Sequence, residues 1–130
     1  MSQWWAVAMV TTALATLAAG PLEAGALTSE VNGLRVELTS RPGRPVASRQ
    51  TEYVVRLTDQ AGQPVDGARL TLRGTMADGM SIVAPFGSGE EAGVYRGRVL
   101  FTTGGRWELK LRIAREGKRF ELPITEHVGR

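Results

Sequence analysis

Arg106-Trp107-Glu108-Leu109-Lys110-Leu111-Arg112-Ile113 alternates polar and apolar without a break. A period of two puts Trp107, Leu109, Leu111 and Ile113 on one side of an extended chain and the charges on the other, the pattern of a strand with one buried and one wet face. The same period recurs outward from this stretch. Downstream, Phe120, Leu122 and Ile124 alternate with Arg119, Glu121 and Thr125. Upstream it runs through Tyr95, Gly97, Val99 and Phe101, through Ala68, Leu70 and Leu72, through Tyr53, Val55 and Leu57, and through Leu34, Val36 and Leu38. Ile82-Val83-Ala84 adds a short edge strand ended by Pro85.

Turn chemistry separates these runs. Asp59-Gln60-Ala61-Gly62-Gln63-Pro64, Gly87-Ser88-Gly89, Thr103-Gly104-Gly105 and Glu116-Gly117-Lys118 fall between strands, the last two reading as tight hairpins. Six or seven short strands at this spacing predict an all-β fold: a single immunoglobulin-like antiparallel β-sandwich. Its expected core is Tyr53, Val55, Leu70, Leu72, Tyr95, Val99, Trp107, Leu109, Leu111, Phe120 and Leu122.

The first 26 residues differ in kind. Ser2 to Leu22 carries no charged side chain, Gly20-Pro21 breaks the apolar run, and Ala24-Gly25-Ala26 is a small-x-small pattern suited to signal peptidase. Cleavage after Ala26 would leave a mature domain of 27–130 in the periplasm or outside the cell. Residues 1–26 therefore read as a signal peptide. The alternatives are an uncleaved inner-membrane anchor helix over 4–22, whose length suits a span, and a buried helix. The lack of Lys and Arg before the apolar run favours these alternatives, and its three threonines weaken the anchor reading.

The 130 residues hold sixteen Lys and Arg against thirteen Asp and Glu; only Glu23 of these lies in the first 26, so the remainder carries an excess of four positive charges. The basic residues are interspersed with acids and form no block, which argues against nucleic acid. Arg69, Arg73, Arg96, Arg98 and Arg112 read as a solvated face that could instead dock an acidic partner. Phe86, between Pro85 and Gly87, reads either as an exposed contact or as a plug closing the sandwich. There is no cysteine and one histidine, His127, expected near a frayed C-terminus. Thiolate sites, a Cys-His pair and structural zinc are excluded, a serine triad would need that tail histidine, and no enzyme activity is expected.

Leu57-Thr58-Asp59 with Gly62, Pro64-Val65, Gly67-Ala68, Met76 and Met80, Gly93-Val94-Tyr95, and Gly104 with Arg106-Trp107-Glu108-Leu109 resemble the YtkA-like family of small exported immunoglobulin-like domains. The resemblance covers Tyr53 to Ile124, and a looser one links the chain to the FixH family, whose domains carry an N-terminal anchor. It implies an envelope accessory with an envelope protein as partner, and some relatives are associated with copper handling. Family members often place methionines and a histidine between the third and fourth strands. Here Thr75-Met76-Ala77-Asp78-Gly79-Met80-Ser81 keeps both methionines and lacks the histidine. Thioether sulfur is soft and suits Cu(I), so Met76 and Met80, joined by His127, form the expected metal site. The competing reading makes Met76 and Met80 core plugs that continue the inward parity of Leu70 and Leu72.

Overall fold

The computed structural model describes residues 26–130. The targeting segment expected at 1–26 lies outside the described residues except for Ala26, which opens the first strand. Among the described residues there are nine strands and no helix: β1 (Ala26–Val31), β2 (Leu34–Arg41), β3 (Gln50–Thr58), β4 (Arg69–Thr75), β5 (Ser81–Pro85), β6 (Gly87–Ser88), β7 (Val94–Leu100), β8 (Gly105–Arg115) and β9 (Lys118–Val128). They form two antiparallel sheets, a five-stranded one in the order β1-β2-β3-β7-β6 and a four-stranded one in the order β5-β4-β8-β9. This is the expected immunoglobulin-like sandwich, with β1 and the two-residue β6 beyond the expected strands.

The alternating residues meet between the sheets. Trp107, Tyr53, Phe101, Leu57, Leu70, Leu72, Leu109, Leu111 and Ile113 are all fully buried. Removing such side chains from water contributes roughly 1.5–3 kcal/mol for each Leu or Ile. Every residue expected in the core is buried except Phe120, which is half-buried and packs against it. Trp107 lies 5.3 Å from Phe101, ring centre to ring centre, at a tilt of 58°. Its indole N–H donates to the Thr103 carbonyl at 3.0 Å, so the one polar atom of the ring is satisfied.

Two hairpins turn on residues with positive φ. Asn32 (49°) and Gly33 (82°) join β1 to β2, and Glu116 (53°) and Gly117 (77°) join β8 to β9. These angles match the type I′ turn whose twist suits paired strands. The connection through Thr103-Gly104 is different. β7 and β8 belong to opposite sheets, so this short segment crosses the sandwich, which corrects the hairpin expected there. Phe86 makes a second crossing, where the chain leaves β5 for β6. Its amide N–H donates to the Leu70 carbonyl at 3.0 Å, and its ring sits so close to Gly97 that a Cβ there would lie 2.6 Å from the ring's Cδ1. Phe86 thus closes one side of the sandwich.

The residues that carry the family resemblance form a clamp. The Tyr95 hydroxyl donates to the Val65 carbonyl at 2.7 Å and accepts from the Ala68 amide at 3.2 Å. The Asp66 carboxylate accepts from the Gly93 amide at 2.7 Å. Gly93 is at φ 77°, and a Cβ there would come 2.8 Å from the Leu57 carbonyl oxygen. The Gly-Val-Tyr and Pro-Val motifs therefore hold the β3–β4 connection against β7. Their role is architectural.

Candidate functional site

Period-two alternation along β9 sends Leu122, Ile124, Glu126 and Val128 inward and Arg119, Glu121, Pro123, Thr125 and His127 outward. Glu126 is thus a carboxylate at a core-facing position. It reaches the Tyr53 hydroxyl of β3, which donates to its Oε1 at 2.8 Å. Tyr53 itself is 1% exposed. Above this pair the sandwich is open. β1 and β2 form one wall and β9 the other of a cleft of about 280 Å³, lined by Ala26, Leu27, Leu38, Gly43, Pro123, Ile124, Thr125 and Glu126.

Burial raises the Glu126 carboxyl above the usual carboxylate range, partly offset by the Tyr53 hydrogen bond and by the neighbouring His127. The Tyr53 phenol is pushed far above its ordinary value, first by burial, then by the Glu126 charge and the hydrogen bond to it. Tyr53 therefore stays protonated and acts only as a donor to Glu126. The carboxylate has no ion-pair partner among the described residues. An apolar cleft with one acceptor at its floor can hold an apolar group that carries a donor or a cation. No group of three His, Cys, Asp or Glu side chains able to share a metal occurs among the described residues.

Met76 and Met80 close the β4–β5 hairpin. The Met76 amide donates to the Met80 carbonyl at 2.9 Å, the Gly79 amide to the Met76 carbonyl at 3.0 Å, and the Met80 amide to the Asp78 carboxylate at 3.0 Å. Gly79, at φ 95°, supplies the left-handed residue that this turn needs. Both methionines are half-buried and pack against the core. The Met76 sulfur accepts from the Thr103 hydroxyl at 3.1 Å. The fold therefore brings the two methionines together at one end of the sandwich, with the inward parity of Leu70 and Leu72.

His127 lies at the same end of the four-stranded sheet but turns outward. It stands opposite Arg106 in the β8–β9 ladder and is exposed on the outer face. The end of the chain is also not frayed: the Gly129 amide donates to the Pro45 carbonyl at 2.8 Å, and the Ala47 amide donates to the Gly129 carbonyl at 2.8 Å. The five arginines expected on one face are divided. Arg69, Arg73 and Arg112 lie on the outer face of the four-stranded sheet, Arg96 and Arg98 on that of the five-stranded one. The Tyr53–Glu126 pair was not anticipated as a site, although an acid at an inward position of β9 is visible in the sequence as a break in the apolar parity.

Residues 28–112 match the family described as YtkA-like. No curated protein matches the chain. Among solved structures, a DUF4426 family protein from Pseudomonas aeruginosa superposes with a TM-score of 0.64 at 15% identity, covering 81% of this chain and 95% of that one. The Lin-41 filamin domain superposes with a TM-score of 0.53 at 17% identity, covering 85% and 97%. At these identities the likeness is one of fold.

Proposed function

The chain belongs to the YtkA-like family, and on that premise we propose that it is an exported, non-enzymatic accessory of the bacterial envelope that works by holding a protein partner at the β1–β9 cleft. The observation that carries this reading is the unpaired Glu126 carboxylate, held by Tyr53 at the floor of an otherwise largely apolar opening. Export is supported by the charge-free run to Leu22 and by the Ala24-Gly25-Ala26 pattern. Cleavage after Ala26 removes only the first residue of an edge strand. Mass spectrometry of the N-terminus tests export: a start at Leu27, or an intact membrane-bound chain, agrees with it, and a soluble cytoplasmic full-length chain refutes it. A photo-crosslinker at Ile124 tests the cleft. It should trap a discrete envelope protein that is lost with Glu126→Ala, while the same group at Leu100 on the far face traps none. Equal labelling from both positions sinks the reading.

A second reading is Cu(I) binding, favoured by the pairing of Met76 with Met80 across one hairpin. Two thioethers suit Cu(I), and the outward-facing His127 is left out of the set. Titration with Cu(I) against a competing chelator should show binding tighter than about 1 μM, or roughly 8 kcal/mol. Met76→Leu with Met80→Leu should abolish it, and His127→Ala should leave it unchanged. Binding unaffected by the double leucine substitution refutes this reading.

A further inference from the structure

The two outer faces of the sandwich treat charge differently. On the five-stranded sheet every facing pair of charges is of opposite sign: Glu30 faces Arg35, Glu37 faces Arg56, and Glu52 faces both Arg41 and Arg98. On the four-stranded sheet Arg73 faces Lys110, two cations in the position where like charges destabilise a ladder. The two acids of this face are already held, Glu108 by Arg106 at 2.8 Å and Glu121 by Arg112 at 3.1 Å. Arg73, Lys110, Arg69 and Arg119 stand outside every ion pair among the described residues, and all four are exposed.

These four form a two-dimensional array. Arg69 and Arg73 are four residues apart on β4, about 13 Å, and β8 and β9 follow at about 4.8 Å spacing. An extended acidic peptide could follow one row of such an array, whereas an anionic plane meets all of it. The same face carries Val83, opposite Arg73 and 60% exposed. Unpaired cations with an exposed apolar group on one surface are the combination that binds anionic lipid.

We infer that the outer face of the four-stranded sheet, centred on Arg73 and Lys110, docks on an anionic phospholipid surface. The chain has no cysteine, so single-cysteine labelling reads the orientation of the whole protein. A polarity-sensitive dye is placed at Val83→Cys in one full-length protein and at Leu100→Cys in another. Leu100 is 53% exposed on the opposite face and serves as the matched control. With phosphatidylcholine vesicles containing phosphatidylglycerol, the dye at 83 should shift to the blue and the dye at 100 should not. The shift should be reversed by molar salt, where charges are screened within about 3 Å. Arg73→Gln with Lys110→Gln should weaken the vesicle titration about thirtyfold, from about 1 kcal/mol for each cation. Arg41→Gln with Arg98→Gln removes the same charge from the other face and should leave the titration within about threefold. Equal shifts at 83 and 100, no shift at 83, or a shift no greater than with pure phosphatidylcholine overturns the inference. A shift at 83 driven by poly-glutamate and not by vesicles also overturns it, and makes this an acidic-protein face instead.

Discussion

Removing the Tyr53 hydroxyl should make the stability of this domain depend on pH in a way that isolates one hydrogen bond. In Tyr53→Phe the ring stays in the core and only the donor to Glu126 is lost. A hydrogen bond to a charged group is worth about 1.5–3 kcal/mol and one between neutral groups about 0.5–1.5 kcal/mol. Because the cleft lets water reach the carboxylate left behind, the lower part of the charged range applies. The expected cost is about 2 kcal/mol where Glu126 is ionised and about 1 kcal/mol where it is protonated. The net linkage of Glu126 runs the other way. Glu126 has a folded pKa raised above its ordinary 4.5, so the folded state binds this proton more tightly than the unfolded state. Its contribution therefore favours folding as pH falls from the folded pKa towards 4.5, and this gain is absent above the folded pKa. Glu126→Gln should lack that gain. The Tyr53 bond lowers the Glu126 pKa, so Tyr53→Phe should raise it further. Urea unfolding of the three proteins across this window, with the Glu126 carboxyl followed by carbon NMR, measures both effects. A Tyr53→Phe cost that does not vary with pH, or a Glu126 pKa at or below 4.5 in the wild type, would refute the reasoning.

Trp107→Ala should destabilise by about 3–5 kcal/mol in chemical denaturation, as for other large core aromatics; a cost below about 1 kcal/mol would place the ring at the surface and undo the register of β8. Thr51 is 0% exposed and its hydroxyl has no hydrogen-bond partner among the described residues, so Thr51→Val should raise stability by about 1 kcal/mol, and a loss of that size would mean the hydroxyl is satisfied. Gly97→Ala should cost about 1–3 kcal/mol because the new methyl meets the Phe86 ring. Adding Phe86→Leu should recover part of that cost, and a Gly97→Ala protein as stable as the wild type would show that the ring does not seal the sandwich.

The strands whose alternation is strict were legible from the sequence, because parity alone decides which side of a strand is buried. β8 follows it from Trp107 to Ile113, and β9 from Leu122 to Val128 with Glu126 as the one polar residue at an inward position. β1 was missed because Ala26-Leu27-Thr28-Ser29-Glu30-Val31 has a weak pattern. Asn32-Gly33, a strong hairpin signal, was the clue that a strand preceded Leu34. The Thr103-Gly104 connection was misread for a related reason: a short loop suits a hairpin, and nothing local says that the next strand enters the other sheet. The same blindness put Arg96 and Arg98 on one face with Arg69 and Arg73. Parity assigns a side chain to the outside without saying which outside. For the site, the sequence pointed to Met76 and Met80 as neighbours, which they are, and added His127, which stands at the same end of the four-stranded sheet with outward parity, while Met76 has the inward one. Tyr53 and Glu126 lie on different strands, so only the packing of the two sheets makes them a pair.

The wiring of the two sheets has a consequence for how quickly the domain assembles. The β1–β2, β4–β5 and β8–β9 pairs are local hairpins, of the kind that closes in about 1–10 μs. The contacts that turn hairpins into sheets are not local: Arg56 must find Val94 to seat β7 on β3, and Leu72 must find Leu111 to seat β8 on β4. Each of these encounters closes a long stretch of chain before any reward from burial arrives. Chains dominated by such pairings fold in milliseconds to seconds. For most of that interval the hairpins exist with their edges unmatched, and the step that ends their exposure is the meeting of β3 with β7 and β4 with β8.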